Sequence, residues 1–222
     1  MAFDGGPPRD CDKCARLEGF RRANCAAYPE WANAPVESFG GRGARLLIVG
    51  LAPGLRGANR TGRPFTGDYA GDLLYETLIA LGFAEGVYER RPDDSLELRD
   101  CAIVNAVRCV PPQNKPTPAE IGNCRPFLEA AVRALPRLRA ILALGRVAHD
   151  SVLRTLDVRL SQYPFAHGAC HDFGAGAPKL FDSYHCSRYN TNTGVLTAEM
   201  FRSALGVVRD YLRVDFPAEK SL

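Results

Sequence analysis

The chain contains no apolar run approaching the roughly 20 residues that a membrane-spanning helix needs. Its N-terminus, MAFDGGPPRD, has neither the charged start nor the apolar stretch of a secretory leader. These two absences predict a cytoplasmic protein with no membrane association. Lysine is scarce beside arginine, and the net charge is only +3 over 222 residues. Bulk charge therefore does not specify a polyanionic partner by itself. There is no internal repeat, no Walker loop with its Gly-Lys-Ser/Thr ending and no GxGxxG, so the common nucleotide-binding signatures are excluded. Hydrophobic content is ordinary for a globular protein at 46%, and the length suits one substantial core with little room for a second. We read residues 1–222 as a single domain whose N-terminal segment, 1–40, carries a cysteine pair.

That pair is Cys11-x2-Cys14, and a second pair, Cys109 and Cys124, stands far along the chain. Sulfurs two residues apart can face one metal centre, and a distant pair can complete its coordination shell. In a reducing compartment such pairs favour metal over disulfide. Four thiolates suit tetrahedral zinc and an iron–sulfur cluster about equally, so the spacing leaves the metal open. Cys25, Cys101, Cys170 and Cys186 show no paired spacing and read as packing residues.

Four short apolar runs, at 45–50 (RLLIVG), 101–107 (CAIVNAV), 139–144 (RAILAL) and 179–184 (KLFDSY), predict buried strands. Helical patterns separate or follow them at 72–81, 118–135, 145–156 and 197–214, with Thr117 and Glu120 forming a capping box. Residues 161–178, rich in Gly, Pro and aromatics, predict a loop or small hairpin, and 217–222 a frayed polar tail. Such alternation predicts a three-layer α/β/α fold around a central four-stranded, mostly parallel sheet. In open sheets of this kind the active crevice lies at the carboxyl ends of the strands. Gly50-Leu-Ala-Pro-Gly54, Asn105 and His185-Cys-Ser187 should therefore meet there. Phe65 sits on a glycine-flanked polar loop, suited to stacking on a planar base or to anchoring the loop. Arg56, Arg63 and neighbouring arginines in the first third give weak support for nucleic acid. His149 reads as structural or exposed, and His167 and His171 around Cys170 lack an obvious fourth metal ligand.

Taken in order, CxxC, GLAPG at 50–54, NRTGRPFTGD at 59–68, NAVRCVPPQNKPTPAEIGNC at 105–124 and HCS at 185–187 with RYNTNTG resemble one family. It is the type-B, or family-five, uracil-DNA glycosylases of the iron–sulfur branch, and the likeness runs from Cys11 to Gly194. The resemblance implies a structural 4Fe-4S cluster on Cys11, Cys14, Cys109 and Cys124 rather than zinc. It also implies hydrolysis of the N-glycosidic bond of deoxyuridine in DNA after the base has been flipped out of the duplex. A cytoplasmic, nucleoid-associated monomer acting on DNA is expected.

His185 would stabilise charge on the leaving base, Asn105 would read its polar edge and Phe65 would stack beneath it. Gly50, Ala52, Pro53 and Gly54 would bring backbone to the base. Many relatives carry an acidic or amide residue at the place of Ala52; family-five enzymes lack it, and Asp68 is the resembling group for placing water. A pocket without strong base catalysis would admit other deaminated bases such as hypoxanthine. Arg56, Arg63, Ser187, Arg188, Tyr189 and Asn190 would contact DNA, with Arg188 or Tyr189 as the wedge. The second motif departs from the usual His-Pro-Ser at Cys186. The alternative reading is a non-catalytic iron–sulfur protein that binds damaged or single-stranded DNA. A member that links covalently to DNA is disfavoured, because no basic insertion with a histidine lies between Phe65 and Leu81.

Overall fold

The computed structural model describes residues 5–214. The tail at 217–222 lies outside the described residues. In chain order the elements are α1 (Ala15–Ala27), β1 (Phe39–Gly40), β2 (Leu46–Gly50), α2 (Ala58–Thr61), α3 (Tyr69–Leu81), β3 (Ala84–Glu85), β4 (Glu97–Leu98) and β5 (Cys101–Asn105). They continue with α4 (Pro118–Arg133), β6 (Ala140–Leu144), α5 (Arg146–Thr155), β7 (Cys170–His171), β8 (Lys179–Ser183), α6 (Arg188–Asn192) and α7 (Ala198–Val214).

The main sheet runs β1-β5-β2-β6-β8-β7. Its four inner strands are parallel, and the two outer ones are antiparallel additions two residues long. The expected four-stranded sheet is thus present, widened at each edge by a strand too short to leave an alternating pattern in the sequence. A separate two-stranded ribbon pairs β3 with β4.

Side chains on successive strand residues point to opposite faces, and the sequence fills both. Leu46, Ile48, Ile103, Leu142 and Phe181 face a core roofed by α3 and α7. Leu47, Val49, Val104, Ile141 and Leu180 face a second core under α4 and α5. Burial on both faces explains why these strands read as continuous apolar runs.

The helices start where their caps dictate. Thr117 accepts from the Glu120 amide while the Glu120 carboxylate accepts from the Thr117 amide. Thr197 likewise accepts from the amide of Met200 at the head of α7. At α3 the N-cap is Asp68, which accepts from the Gly71 amide, so the helix begins three residues before the apolar periodicity does. Asp72, in the first turn of α3, pairs with Arg90 on the surface. Helix α1 was not evident from the sequence, because only Leu17, Arg21 and Asn24 of it are buried.

Register is what positions chemistry. Gly50 pairs with Asn105 across β2 and β5, and Leu144 pairs with Ser183 across β6 and β8. All four inner strands therefore end along one edge of the sheet, and the loops that leave them share one crevice.

Arg63 corrects an expectation. It is 7% exposed, and its guanidinium makes a bidentate contact with the fully enclosed Asp94 carboxylate at 2.7 and 2.8 Å. It also donates to Thr66 and lies over the rings of Phe39, Tyr75 and Tyr88. A side chain spent in this way has no face to offer DNA; it braces the loop that carries Phe65. Replacing one partner of a buried ion pair strands the other charge, so Arg63→Ala should cost about 3–5 kcal/mol in denaturant unfolding. A loss below about 1 kcal/mol, the range of surface pairs, would contradict the structural role.

Candidate active site and cysteine centre

The crevice at the carboxyl edge holds a cleft of about 520 Å³, walled by the loop after β2, the Phe65–Asp68 segment, Asn105, the loop after β8 and α6. At its floor two side chains meet over Gly50. A Cβ placed on Gly50 would stand 2.4 Å from Asn105 Oδ1 and 2.6 Å from Phe65 Cζ. Only a residue without a side chain lets the amide and the ring close in, which is the steric reason for glycine at the end of β2. The Phe65 backbone is left-handed, with φ at 51°. The Tyr88 hydroxyl, which donates to the Phe65 carbonyl, and the Tyr75 hydroxyl, which donates to that of Pro64, hold it there.

Across the cleft the His185 ring faces Phe65, with centroids 5.9 Å apart and planes 28° apart. Burial against protein atoms pulls the His185 pKa down to about 4, so at neutral pH the imidazole is uncharged and offers one N–H donor. The loop that presents it is tied down twice. The Asn190 side chain donates to the His185 carbonyl at 2.8 Å. The buried Cys186 thiol donates to the Ala70 carbonyl in α3 at 3.4 Å. Cys186, where proline is expected, thus fastens the histidine loop to the helix capped by Asp68.

Asp68 lines the same cleft. Its carboxylate lies so close to the loop after β2 that a Cβ on Gly57 would come within 2.2 Å of Oδ2 and one on Gly54 within 2.8 Å. Burial raises the Asp68 pKa above the ordinary carboxylate range, against the pull of the Gly71 and Ala70 amides. Asn105 is 3% exposed. Its amide reaches the cleft.

At the mouth, Ser187 caps α6 by accepting from the Asn190 amide. Arg188 lies over the Tyr69 ring at 5.3 Å, and Tyr189 is 75% exposed. Of the DNA-contact expectations, Arg188, Tyr189 and the exposed Arg56 keep free surface, whereas Ser187 and Asn190 use their side chains within the protein. Sequence reasoning missed Tyr69 and Asn114, which also line the cleft. Asn114 lies in the loop between the second pair of cysteines, a placement that could have pointed to it.

Beyond Ala52 the cleft wall becomes the cysteine centre. Cys11, Cys14, Cys109 and Cys124 surround one cavity with Leu17, Val107 and Arg21. Ala52 packs against the small core that includes Cys109 and Cys124. Donors converge on the sulfurs. Arg21 points at Cys109 Sγ at 3.4 Å, the Arg108 amide at Cys124 Sγ at 3.3 Å and the Asn123 side chain at Cys14 Sγ at 3.6 Å. Such donors suit anionic sulfur. Burial pushes the Cys109 thiol up to about 12 and the Cys124 thiol up to about 11, and a cation bound among them would bring them down to thiolates. Four cysteine sulfurs around one cavity, with donors aimed at them, form a site able to hold a thiolate-ligated metal centre.

The chain is similar to known proteins over most of its length. The family model described as "Uracil DNA glycosylase superfamily" matches residues 37–209. A type-5 uracil-DNA glycosylase of Thermus thermophilus is 44% identical over 88% of this chain and 90% of its own length. One of the same type from Pyrobaculum aerophilum is 38% identical over 88% and 86%. A type-4 uracil-DNA glycosylase of the latter organism is 32% identical over 73% and 69%.

The depressed pKa of His185 yields a measurement independent of activity. Its ring should titrate near 4 in nuclear magnetic resonance, and a midpoint at or above the ordinary value of about 6.5 would contradict the neutral assignment. Because the folded pKa lies below the unfolded one, this group's contribution to stability is complete above about pH 6.5 and is lost as pH falls toward 4. Strand register, the cleft and the matched relatives lead to one assignment: the chain belongs to the uracil DNA glycosylase superfamily, alongside its type-5 members.

Proposed function

We propose that the protein is a DNA-repair glycosylase that hydrolyses the N-glycosidic bond of deoxyuridine in DNA and leaves an abasic site. The observation that carries this is the meeting of Phe65, Asn105 and His185 around one cleft over Gly50. A base within a duplex cannot enter such a cleft, so the nucleotide is everted into it. Phe65 stacks on the base, and the Asn105 amide, offering both a donor and an acceptor, reads its polar edge.

As the glycosidic bond breaks, uracil gathers negative charge and the sugar positive charge. The neutral His185 donates its N–H to the developing oxyanion at no cost in proton transfer, and the low-dielectric surroundings strengthen that bond. Asp68, across the cleft, places the attacking water and faces the cationic sugar. With Ala52 apolar, no group in the loop after β2 serves as a base. Selection then rests on stacking and edge contacts, which extends activity to hypoxanthine and similar deaminated bases. Tyr189, projecting from α6, fills the gap left by the everted nucleotide.

The four cysteines hold a structural 4Fe-4S cluster that supplies no step of the reaction. It clips the segment before α1 to the loop carrying Asn114, and so fixes the cleft wall at Ala52. The protein acts in the cytoplasm of a prokaryotic cell, on the nucleoid.

Incubation of the purified protein with a uracil-containing duplex, followed by alkali, should cut the strand at the uracil. His185→Ser should lower kcat by about 10²–10³, the effect of losing one oxyanion donor. Intact DNA with a mobility shift would favour a non-catalytic damage-binding protein instead. Cys109→Ala should abolish the brown absorption and bound iron and lower thermal stability together; a colourless wild-type protein with stoichiometric zinc would overturn the cluster assignment.

A further inference from the structure

Asp182 stands on β8, three residues before His185, and its side chain is fully enclosed. Each carboxylate oxygen meets an imidazole from a different element. Oδ1 is 2.8 Å from Nδ1 of His149 on α5, and Oδ2 is 2.9 Å from Nε2 of His171 on β7. The other ring nitrogen of His149 lies 2.9 Å from the Tyr163 carbonyl oxygen, in the connection between α5 and β7. Three nitrogen–oxygen contacts need three hydrogens, and a carbonyl has none to give. Two neutral imidazoles supply only two. The cluster therefore holds one more proton, between His149 Nδ1 and Asp182 Oδ1; with the carboxylate ionised, His149 is an imidazolium buried at 1% exposure.

The surroundings agree. Burial disfavours charge on His149, but the hydrogen bond and charge of Asp182, aided by the Tyr163 carbonyl and by Asp150 on the same helix, outweigh it and raise the pKa. From the other elements the facing ionisable groups are His171 on β7 and the Tyr163 phenol, which packs edge-on to the His171 ring, while the Phe165 ring closes over His149.

This cluster grips both supports of the histidine loop. The amide of Gly145, which opens α5, donates to the Ser183 carbonyl at 2.8 Å, and a Cβ on Gly145 would touch His185 Cβ at 3.5 Å. One residue nearer the site, the Tyr184 amide donates to His167 Nδ1 at 3.2 Å. Binding α5 to β8 through His149 and Asp182 thus sets where His185 stands.

We propose that His149, Asp182 and His171 form a proton-locked brace, with His149 doubly protonated in the folded protein, and that His149 and Asp182 are positioning residues for the reaction at His185. The positioning half rests on the catalytic reading of His185; the protonation half does not. Nitrogen-15 imidazole spectra of the wild-type protein at pH 7, assigned with His149→Gln, should show both His149 nitrogens protonated. A singly protonated ring would overturn the brace. So would one zinc ion per protein retained by these residues and lost in His149→Gln, since the three donor groups lie within 4.8 Å.

Asp182→Asn keeps the shape but cannot hold the shared proton, and a small displacement of His185 should lower kcat roughly tenfold or more while KM stays within about twofold. A wild-type kcat in a folded Asp182→Asn protein would remove the positioning role. Wild-type turnover in His185→Ser would remove the catalytic reading and leave the ring measurement standing. Since the folded pKa of His149 is raised, its contribution to stability is complete below about pH 6.5 and is lost as pH climbs through the raised value. Melting temperature should therefore fall on the alkaline side in the wild type and stay flatter in Asp182→Asn.

Discussion

Close approach over Gly50 is the constraint on which the site depends. Parallel pairing puts Gly50 beside Asn105 at the ends of two adjacent buried strands, and the missing side chain lets the Phe65 ring lie against both. An alanine there would collide with the Asn105 amide and the Phe65 ring at once. Everything else in the cleft is arranged around this contact. Arg63 and Asp94 brace the Phe65 loop from beneath, α3 holds Asp68 at its cap, and Cys186 fastens the His185 loop to that helix. The site is assembled from distant segments, yet each is fixed to rigid sheet or helix, as positioning chemistry requires.

The same logic explains what the cysteine centre contributes. It lies behind Ala52 rather than in the cleft, and its second pair brackets the loop that brings Asn114 to the cleft wall. The N-terminal segment has little core of its own. Arg16 clamps it to Glu120, whose carboxylate also completes the cap of α4, and the Asn123 side chain donates to the Lys13 carbonyl. Ion pair, cap and cysteine sulfurs therefore converge on one end of α4, beside the wall that carries Ala52.

How much of this was legible in the sequence follows from whether the signal was local. The four inner strands were readable because burial on both faces leaves unbroken apolar runs, and α4 because its capping box is written in Thr117 and Glu120. The strand-end Asn105 and His185 were readable from the rule that parallel sheets work at their carboxyl edge, and Phe65 from its setting on a glycine-flanked polar loop. Strands two residues long carry no period, and α1 buries too few residues to show one. Arg63 could not be told from a phosphate-binding arginine, because its partner Asp94 comes from a loop 31 residues away. His149 read as structural or exposed and His171 as a histidine beside Cys170 without a full ligand set; only tertiary packing joins them to Asp182 in one cluster.

The central claim is that the cleft holds a single everted uracil between Phe65 and His185 with Asn105 at its edge. A crystal structure of His185→Ser bound to a duplex containing one deoxyuridine tests it directly. The account predicts the uracil ring stacked on Phe65, hydrogen-bonded to the Asn105 amide, with Tyr189 in the vacated stack. Uracil retained within the duplex, or bound away from Gly50, would contradict it.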